Sequence, residues 1–342
     1  MSLTIKDIAE MSGVSKGTVS RVINNNPEGV SEETRKKILQ LIDEVGYVPN
    51  RMARSITVSE TKTIGLIIPD IQNPFFTHVV RGVEDYSIEN GYTVFLCNSD
   101  SDTKKETKYL YNFLEKRVDG IILNSCGNLK DPKLSNLIHN SSTPVVLLDR
   151  KTDDFFEYPG VFVDNMLATY EGVSYLARGG AKHIAYLAGE KNVYTVEERL
   201  KGYYKALEEA GLKVKSKYIN YGNYKIQSGY ERMKKIIQLN PEIDAVFAGS
   251  DTIAIGVLKA LREMHIPVPD QVEVIGFDNI EMSGEITPAL STIAQPMYEM
   301  GYKAAQMLLS SINNKTIKQA DQYLSTALLI RDSTKRKNEG SL

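Results

Sequence analysis

Short apolar runs alternate with longer segments of helical spacing from residue 63 to about residue 278. The apolar runs are residues 64–68, 92–97, 120–123, 145–148, 161–163, 184–187, 245–248 and 272–277. Between them lie segments with helical spacing, such as residues 76–90, 104–116, 167–178 and 197–210. Parallel strands need a long crossover connection, which is usually a helix, so this order predicts parallel sheets with helices on both faces.

The alternation falls into two similar stretches. A first set of strands runs to about residue 149, and the pattern restarts near residue 161. We therefore expect an α/β core over residues 61–336, built from two doubly wound parallel-sheet lobes. The expected lobes are residues about 61–160 and about 161–290, with later crossovers between them and a polar tail at residues 337–342.

The first sixty residues carry a different pattern, which fits three short helices around one small core. Helical spacing predicts these helices over about residues 5–11, 15–24 and 32–45. Ala9, Gly13 and Val19 have the spacing of a helix-turn-helix, with a small residue where helices cross, a glycine in the turn and an apolar residue on the second helix. We expect an all-α helix-turn-helix head over residues 1–47.

Composition sets only broad limits on function. The 342 residues are 42% hydrophobic and 25% charged, with a net charge of −2, which is typical of a soluble protein of more than one domain. Residues 1–59 contain eight Lys/Arg against seven Asp/Glu, so a DNA-binding head must place its basic charge locally. The sequence has neither a long apolar run nor a signal-peptide pattern, so we expect a cytoplasmic protein that contacts no membrane.

The sequence lacks the common catalytic and metal-binding patterns. No predicted strand leads into GxGxxG or a P-loop, and no Ser-His-Asp or Cys-His spacing is present. The four histidines lie far apart, and Cys97 and Cys126 lie in or beside apolar runs, which favours reduced, buried thiols. We expect no enzyme activity, no cofactor and no metal site.

Polar residues collect where the predicted strands end. They are Asp70 and residues 73–76, 98–102, 149–150, 164–165, 250–251 and 278–279. Ligands of doubly wound sheets bind at the carboxyl ends of strands. Carboxylates and arginines can engage adjacent hydroxyls, and aromatic rings can cover an apolar sugar face, so the pattern favours a polyhydroxylated ligand. Any single aspartate in these positions can equally cap the next helix.

Several motifs together resemble the LacI/GalR family of repressors, and the resemblance covers essentially the whole chain. The motifs are residues 4–9 (TIKDIA), 13–15 (GVS), 18–24 (TVSRVIN), 46–47 (GY), 49–50 (PN) and 53–55 (ARS). The core is similar to periplasmic sugar-binding proteins and looks closest to their ribose-binding branch. The resemblance implies a transcription regulator, a repressor, that binds double-stranded operator DNA as a homodimer.

The same resemblance implies how the head contacts DNA. The second helix would enter the major groove, and residues 48–60 would form a hinge helix and linker that reaches the minor groove. Ile56 stands where the family usually has a leucine wedge. The residues implied to contact DNA are Thr4, Ser15, Lys16, Gly17, Thr18, Ser20, Arg21, Asn24, Tyr47, Asn50, Ala53, Arg54 and Ile56.

An effector site between the lobes is implied as well. Its residues are Asn73, Phe75, Phe76, Asp149, Arg150, Arg199, Tyr224, Ser250, Asp278 and Gln295. Ser250 departs from the asparagine of many sugar binders and makes fewer hydrogen bonds, so the sugar stays open. We expect a pentose such as ribose first, a hexose or modified sugar second, and a purine third, because sites with aromatic rings and arginines also fit flat bases.

Another alternative keeps the fold and the DNA function but replaces the sugar with a phosphorylated carrier protein as corepressor, as in catabolite-control members of the family. The Asp149–Arg150 pair and the NPFF segment at residues 73–76 favour a small ligand instead. A secreted transport receptor would share the core but would need a signal peptide and would lack the head. Residues 334–342 lack heptads, so we expect a dimer without a tetramerising coiled coil.

Overall fold

The chain forms two compact units, Met1–Thr61 and Lys62–Leu342. The structure is a computed structural model that describes residues 3–23, 25–26, 28–47, 60–127, 132–152, 157–314 and 320–335. Within these ranges, no helix has both the length and the apolar character needed to cross a membrane.

The first unit contains the three helices that the sequence predicts, each within one residue of the expected bounds. They are α1 (Ile5–Ser12), α2 (Lys16–Ile23) and α3 (Glu32–Glu44). Thr4 and Asp7 form a capping box that starts α1, and Gly13 ends it with a left-handed φ of 72°. Ile8, Val19 and other apolar residues from all three helices form the core of the head.

The second unit begins with β1 (Thr63–Ile68), α4 (Pro74–Glu89), β2 (Thr93–Asn98), α5 (Thr103–Glu115), β3 (Gly120–Leu123), α6 (Pro132–Asn140), β4 (Val145–Leu148) and β5 (Gly160–Val163). It continues with α7 (Asn165–Arg178), β6 (Ile184–Leu187), α8 (Tyr194–Glu209), a 3₁₀ turn (Ser216–Tyr218), β7 (Ile219–Asn220), α9 (Ile226–Leu239), β8 (Ala245–Ala248), α10 (Asp251–Glu263), β9 (Glu273–Asp278), α11 (Met282–Glu285) and β10 (Ser291–Ala294). The last elements are α12 (Met297–Asn313), β11 (Gln322–Leu324) and β12 (Ala327–Leu329).

These elements form two lobes, as the sequence predicts, each built on a twisted sheet. Among the described residues, the strand orders are β11-β5-β4-β3-β1-β2 in the first lobe and β12-β10-β9-β8-β6-β7 in the second. All pairings are parallel except that of β12 with β10. Alternate helices cover both faces of each sheet, which explains why the strands are continuous apolar runs and not alternating ones.

The described chain passes between the lobes three times: after β5, after β10, and between β11 and β12. β11 runs parallel to β5 toward the carboxyl edge of the first sheet. The chain then enters the second sheet from that sheet's carboxyl edge, so β12 must run antiparallel to β10. This geometry accounts for the single antiparallel edge in a core expected to be parallel.

One expectation about the lobes is wrong. The sequence pattern assigns the strand near residue 161 to the second lobe, but β5 pairs with β4, with Leu148 opposite Val161. The first passage between the lobes therefore comes after Val163. Periodicity marks a buried strand without indicating the sheet that it joins, which explains the error.

Two glycines allow α4 and α12 to cross with their backbones in contact. A Cβ atom at Gly82 would lie 2.1 Å from the carbonyl oxygen of Tyr298, and one at Gly301 would lie 1.9 Å from that of Val79. No side chain fits at either position. This tight crossing fixes α4, which begins at the edge of the first sheet where the predicted effector residues lie.

A buried carboxylate, Asp251, ties together the segment that follows β9. Its Oδ2 accepts hydrogen bonds from Ile280 N at 2.9 Å and Ser283 Oγ at 2.6 Å, and its Oδ1 accepts one from Thr292 Oγ1 at 2.6 Å. Burial raises the pKa of Asp251 to about 6, although these hydrogen bonds oppose the rise. The network holds the end of β9, and with it Asp278, against α10.

We expect the stability difference between the wild type and Asp251→Asn to shrink as pH rises from about 4 to about 6. The folded pKa of Asp251, about 6, lies above the unfolded value of about 3.9, so the folded state binds the extra proton in this window. The free energy of unfolding of the wild type then falls by up to about 1.4 kcal/mol per pH unit through this group. Denaturant titrations across the window measure the difference, and a difference that stays constant would contradict the raised pKa.

Candidate functional site

The second helix of the head presents a polar face to solvent and an apolar face to the core. Val19 and Val22 are buried, whereas Lys16, Gly17 and Arg21 are exposed. Of the other predicted residues of this helix, Ser15 is exposed and Thr18 and Ser20 are half-buried. Ser15 Oγ accepts a hydrogen bond from Thr18 N at 3.1 Å and so caps the helix. The described residues that the sequence predicts on α2 thus form one continuous surface.

Arg21 lies against the loop between α2 and α3. Its Nη1 donates a hydrogen bond to the Glu28 carbonyl oxygen at 3.3 Å. Gly29, with a φ of 71°, leaves room for the guanidinium, since a Cβ atom there would lie 2.9 Å from Nη1. A guanidinium has five N–H donors, so this contact orients Arg21 while other donors stay available for DNA.

The remaining predicted DNA-contacting residues have different positions. Thr4 is exposed at the start of α1, and Tyr47 is only 9% exposed and packs in the core of the head. The structure does not describe the other five, which are Asn24, Asn50, Ala53, Arg54 and Ile56.

Nine of the ten predicted effector residues line one small cavity between the two lobes of the core. These residues are Asn73, Phe75, Phe76, Asp149, Arg150, Arg199, Tyr224, Asp278 and Gln295. We call this space the effector cavity. Thr195, near the start of α8, also lines it and was missed, because no sequence signal separates it from any other threonine at a helix start.

Ser250 is the predicted residue that does not line the effector cavity. Its hydroxyl accepts a hydrogen bond from Ile253 N at 3.2 Å and lies 2.8 Å from Thr252 Oγ1. The side chain is therefore used to cap α10. Many sugar binders have asparagine at this position, whose longer side chain extends further from the backbone than that of serine. The shorter Ser250 side chain caps the helix and does not line the cavity.

The first lobe supplies an aromatic corner to the effector cavity. Asn73 Oδ1 accepts a hydrogen bond from Phe75 N at 3.1 Å and so caps α4. The rings of Phe75 and Phe76 meet edge to face, with centroids 5.0 Å apart, and both are buried. Their positions on the first turn of a helix fixed by the crossing with α12 make this corner rigid.

Asp149 and Arg150 stand together at the end of β4. Arg150 Nε lies 3.6 Å from Asp149 Oδ2, which also accepts a hydrogen bond from Asn124 Nδ2 at 3.3 Å. Arg150 Nη1 donates to the Ser125 carbonyl oxygen at 3.4 Å. Both side chains are buried, so the pair brings opposite charges into a place of low dielectric.

Arg199, on α8, is held by two hydrogen bonds and by a contact with an aromatic ring. It donates from Nε to Asn165 Oδ1 at 2.8 Å and from Nη1 to the Gly249 carbonyl oxygen at 2.6 Å. Its guanidinium carbon lies 3.6 Å from the centre of the Phe277 ring. The stacking and the two hydrogen bonds fix the plane of the guanidinium in the effector cavity.

Asp278 ends β9 and accepts a hydrogen bond from Gln295 Nε2 at 2.8 Å. Burial raises the pKa of Asp278 well above its ordinary range, and Arg199 opposes that rise. The negative charge of Asp149, from the other lobe, raises the pKa of Asp278 further.

Several buried polar atoms at the effector cavity have no hydrogen-bond partner among the described residues. They are Asp149 Oδ1, Arg150 Nε and Gln295 Oε1. Buried polar atoms in proteins are nearly always hydrogen-bonded, and an unpaired one costs about 1–3 kcal/mol. The cavity therefore offers acceptors and a donor that suit a ligand with hydroxyl groups.

The alternative role of strand-end aspartates, helix capping, applies to two of the residues singled out from the sequence. Asp102 caps α5 by accepting from Lys104 N at 2.8 Å, and Asp164 caps α7 by accepting from Leu167 N at 2.8 Å. Neither lines the effector cavity. Outside it, Cys97 and Cys126 are free and partly buried, and burial raises the pKa of both thiols.

Two protein-family models match this chain. The family of bacterial regulatory proteins of the lacI type matches residues 4–50, and the family of periplasmic binding proteins and sugar-binding domains of the LacI family matches residues 61–333. Together they span both units described above.

Characterised relatives match over almost the full length. The HTH-type transcriptional regulator RegA of Clostridium saccharobutylicum is 39% identical over 98% of this chain and 100% of its own. Catabolite control protein A of Priestia megaterium is 38% identical with the same coverage of both chains.

Solved structures agree with this relationship. The lac repressor dimer bound to operator and the anti-inducer ONPF has a TM-score of 0.86 at 25% identity, covering 98% of this chain and 99% of its own. A LacI family regulator from Enterococcus faecium with bound ribose has a TM-score of 0.71 at 28% identity, covering 80% and 98%. The chain therefore belongs to the LacI family of DNA-binding transcription regulators, with a helix-turn-helix head and a two-lobed core like that of periplasmic binding proteins.

Proposed function

We propose that this regulator is a repressor whose affinity for operator DNA changes when a small sugar, with a ribose-like pentose favoured, binds in the effector cavity. The observation that carries the proposal is the set of buried polar atoms on Asp149, Arg150 and Gln295 that have no hydrogen-bond partner among the described residues, beside the rings of Phe75 and Phe76. Carboxylates and guanidinium groups bind adjacent hydroxyls, and the rings can cover the apolar face of a sugar. The ribose-bound structure of a LacI family relative supports the choice of sugar.

The proposed switch follows from the origin of the lining residues. Asp149 and Arg150 come from the first lobe, whereas Arg199 and Asp278 come from the second. A sugar bound by both pairs favours one arrangement of the lobes over others. In a dimer, that arrangement sets the spacing of the two heads on a pseudo-palindromic operator, and we propose that the sugar releases the repressor from DNA.

The homodimer in this proposal is supported by the free edge of the first sheet. β2 is the edge strand, and it exposes Phe95 at 43% and Leu96 at 37%. Exposed apolar edge strands tend to pair with another chain or to be covered by one. We propose that β2 contributes to the contact with a second copy of the chain.

A thermal-shift screen of the purified protein tests the sugar proposal. The panel contains D-ribose, D-xylose, D-glucose, ribose 5-phosphate, hypoxanthine and guanine. We expect D-ribose to raise the melting temperature by several degrees, because a ligand at about 100 times its Kd adds about 2.7 kcal/mol of stability. Arg199→Ala should lose the shift, since it removes the stacked guanidinium.

The matched control for this screen is Lys201→Ala, whose side chain lies on the same helix and pairs with Glu198 at the surface. This variant should keep the shift. A response to the purines alone would favour a purine-responsive repressor. Silence across the panel would favour control by a phosphorylated carrier protein, an alternative that the relationship to catabolite control protein A supports.

The head and the core should lose function independently. We expect Arg21→Ala to weaken binding to a DNA site selected by the wild type by about 10- to 100-fold, the amount that one arginine contact to guanine contributes. Sugar binding should stay unchanged. Fluorescence anisotropy measures the DNA affinity, with Lys6→Ala, an exposed change on α1, as control. If folded Arg21→Ala lost both activities, the division into two modules would be wrong.

Sedimentation velocity tests the dimer contact. We expect Leu96→Glu to shift the protein from dimer to monomer, because the new carboxylate would be buried without a partner in the contact. The affinity for operator DNA should fall when the dimer is lost. Leu239→Glu, at a more exposed apolar position at the end of α9, is the control and should remain dimeric. A Leu96→Glu variant that stays dimeric would place the contact elsewhere.

A further inference from the structure

The side chain of Tyr224 occupies the space directly above Gly189. Gly189 follows the end of β6, and Tyr224 lies between β7 and α9, where it lines the effector cavity. A Cβ atom at Gly189 would lie 2.2 Å from Tyr224 Oη, 2.3 Å from Cζ and 2.8 Å from Cε2. Real Cβ atoms do not approach other atoms so closely, so the phenol ring in this position requires glycine at 189.

The requirement is for space and not for backbone conformation. Gly189 has no φ in the left-handed region, where only glycine is favoured. A positive φ is therefore not what requires glycine here. The three atoms nearest to such a Cβ all belong to the ring of Tyr224.

The backbone that carries Tyr224 is tied to the end of β6 and cannot simply move away. Ala188 N donates to the Asn220 carbonyl oxygen at 2.9 Å, and Gly222 N donates to the Gly189 carbonyl oxygen at 3.3 Å. On the other side, Thr252 Oγ1 donates to the Tyr224 carbonyl oxygen at 2.7 Å. The segment is thus anchored on both sides of the ring.

Arg232, on α9, strengthens this anchoring. Its Nη1 donates to the carbonyl oxygens of Ala188 at 2.7 Å and Asn220 at 3.0 Å, and its Nη2 donates to that of Asn223 at 3.3 Å. Burial lowers the pKa of Arg232 to about 10, so it stays charged at neutral pH. A charged donor shared by these carbonyls holds the two segments in one arrangement.

We propose that Gly189 is a specificity-determining residue of the effector cavity: its lack of a side chain lets the Tyr224 ring lie against the end of β6, and so sets the width of the cavity. This inference rests on the proposed function, because it assumes that the effector binds there. With the backbone anchored, a side chain at 189 must displace the ring that lines the cavity. A larger residue at 189 would then change which effectors the cavity admits.

The test compares Gly189→Ala with Gly284→Ala, a glycine on α11 where a Cβ atom would meet nothing within 4 Å. Titration calorimetry with D-ribose measures binding. We expect Gly189→Ala to weaken binding by about tenfold or more, as one misplaced methyl group in a packed site does. In a Tyr224→Ala background, Gly189→Ala should have no further effect, because the ring that it displaces is gone.

A second measurement is independent of any ligand. The chain has 19 tyrosines, and in protein labelled with 3-fluorotyrosine the ¹⁹F resonance that Tyr224→Phe removes belongs to Tyr224. We expect Gly189→Ala to move this resonance and Gly284→Ala to leave it in place. Thermal unfolding checks that every variant is folded.

The outcomes separate the two proposals. If the wild type does not bind D-ribose, the ribose proposal fails, and the ¹⁹F resonance alone decides whether Gly189 positions the ring. If Gly189→Ala leaves the resonance unmoved, or binds D-ribose as the wild type does, the role of Gly189 is disproved while the proposed function stands. A loss of affinity that persists in the Tyr224→Ala background would also overturn it.

Discussion

The charged side chains buried where the two lobes face each other are the constraint on which the effector cavity depends. Asp149 and Arg150 from one lobe and Arg199 and Asp278 from the other are all removed from water. A buried ion costs several kcal/mol unless it is paired and hydrogen-bonded. The arginines reduce that cost, yet the two carboxylates repel each other across the space. A neutral ligand that donates to the carboxylates and accepts from the guanidinium groups would complete this balance, as the proposed sugar would.

Two of the residues that hydrogen-bond to the buried charges lie where the chain passes between the lobes. Asn165, which accepts a hydrogen bond from Arg199, follows the first passage directly. Gln295, which donates to Asp278, stands at the second. Hinges of two-lobed proteins lie in a few such connecting residues. The residues that hold the buried charges of Arg199 and Asp278 thus stand where the chain passes between the lobes, which is the place that the proposed switch requires.

Local pattern predicted the elements of the fold better than their arrangement. The continuous apolar runs at residues 120–123, 145–148, 184–187 and 245–248 coincide with strands in the structure. A strand that is buried on both faces of a sheet is apolar at almost every position, so the run of apolar residues can be recognised from the local sequence alone. The lobe to which β5 belongs was not predictable in the same way, because strand pairing depends on residues distant in sequence. Thr195 was missed because the sequence pattern begins the predicted helix near residue 197, whereas the helix begins at Tyr194 and places Thr195 one turn before Arg199.

The strand-end aspartates show most clearly where sequence information ends. Asp149, Asp164 and Asp278 each stand at the carboxyl end of a strand, and nothing in their neighbours separates a helix cap from a ligand-facing group. Asp164 has a φ of −76°, and its side chain turns back to the amide of Leu167, as capping requires. Asp149 and Asp278 have φ values of 64° and 119°, in a region that costs non-glycine residues energy. Both of these aspartates line the effector cavity, so among the three the φ angle is positive at the two that line the cavity and negative at the one that caps a helix.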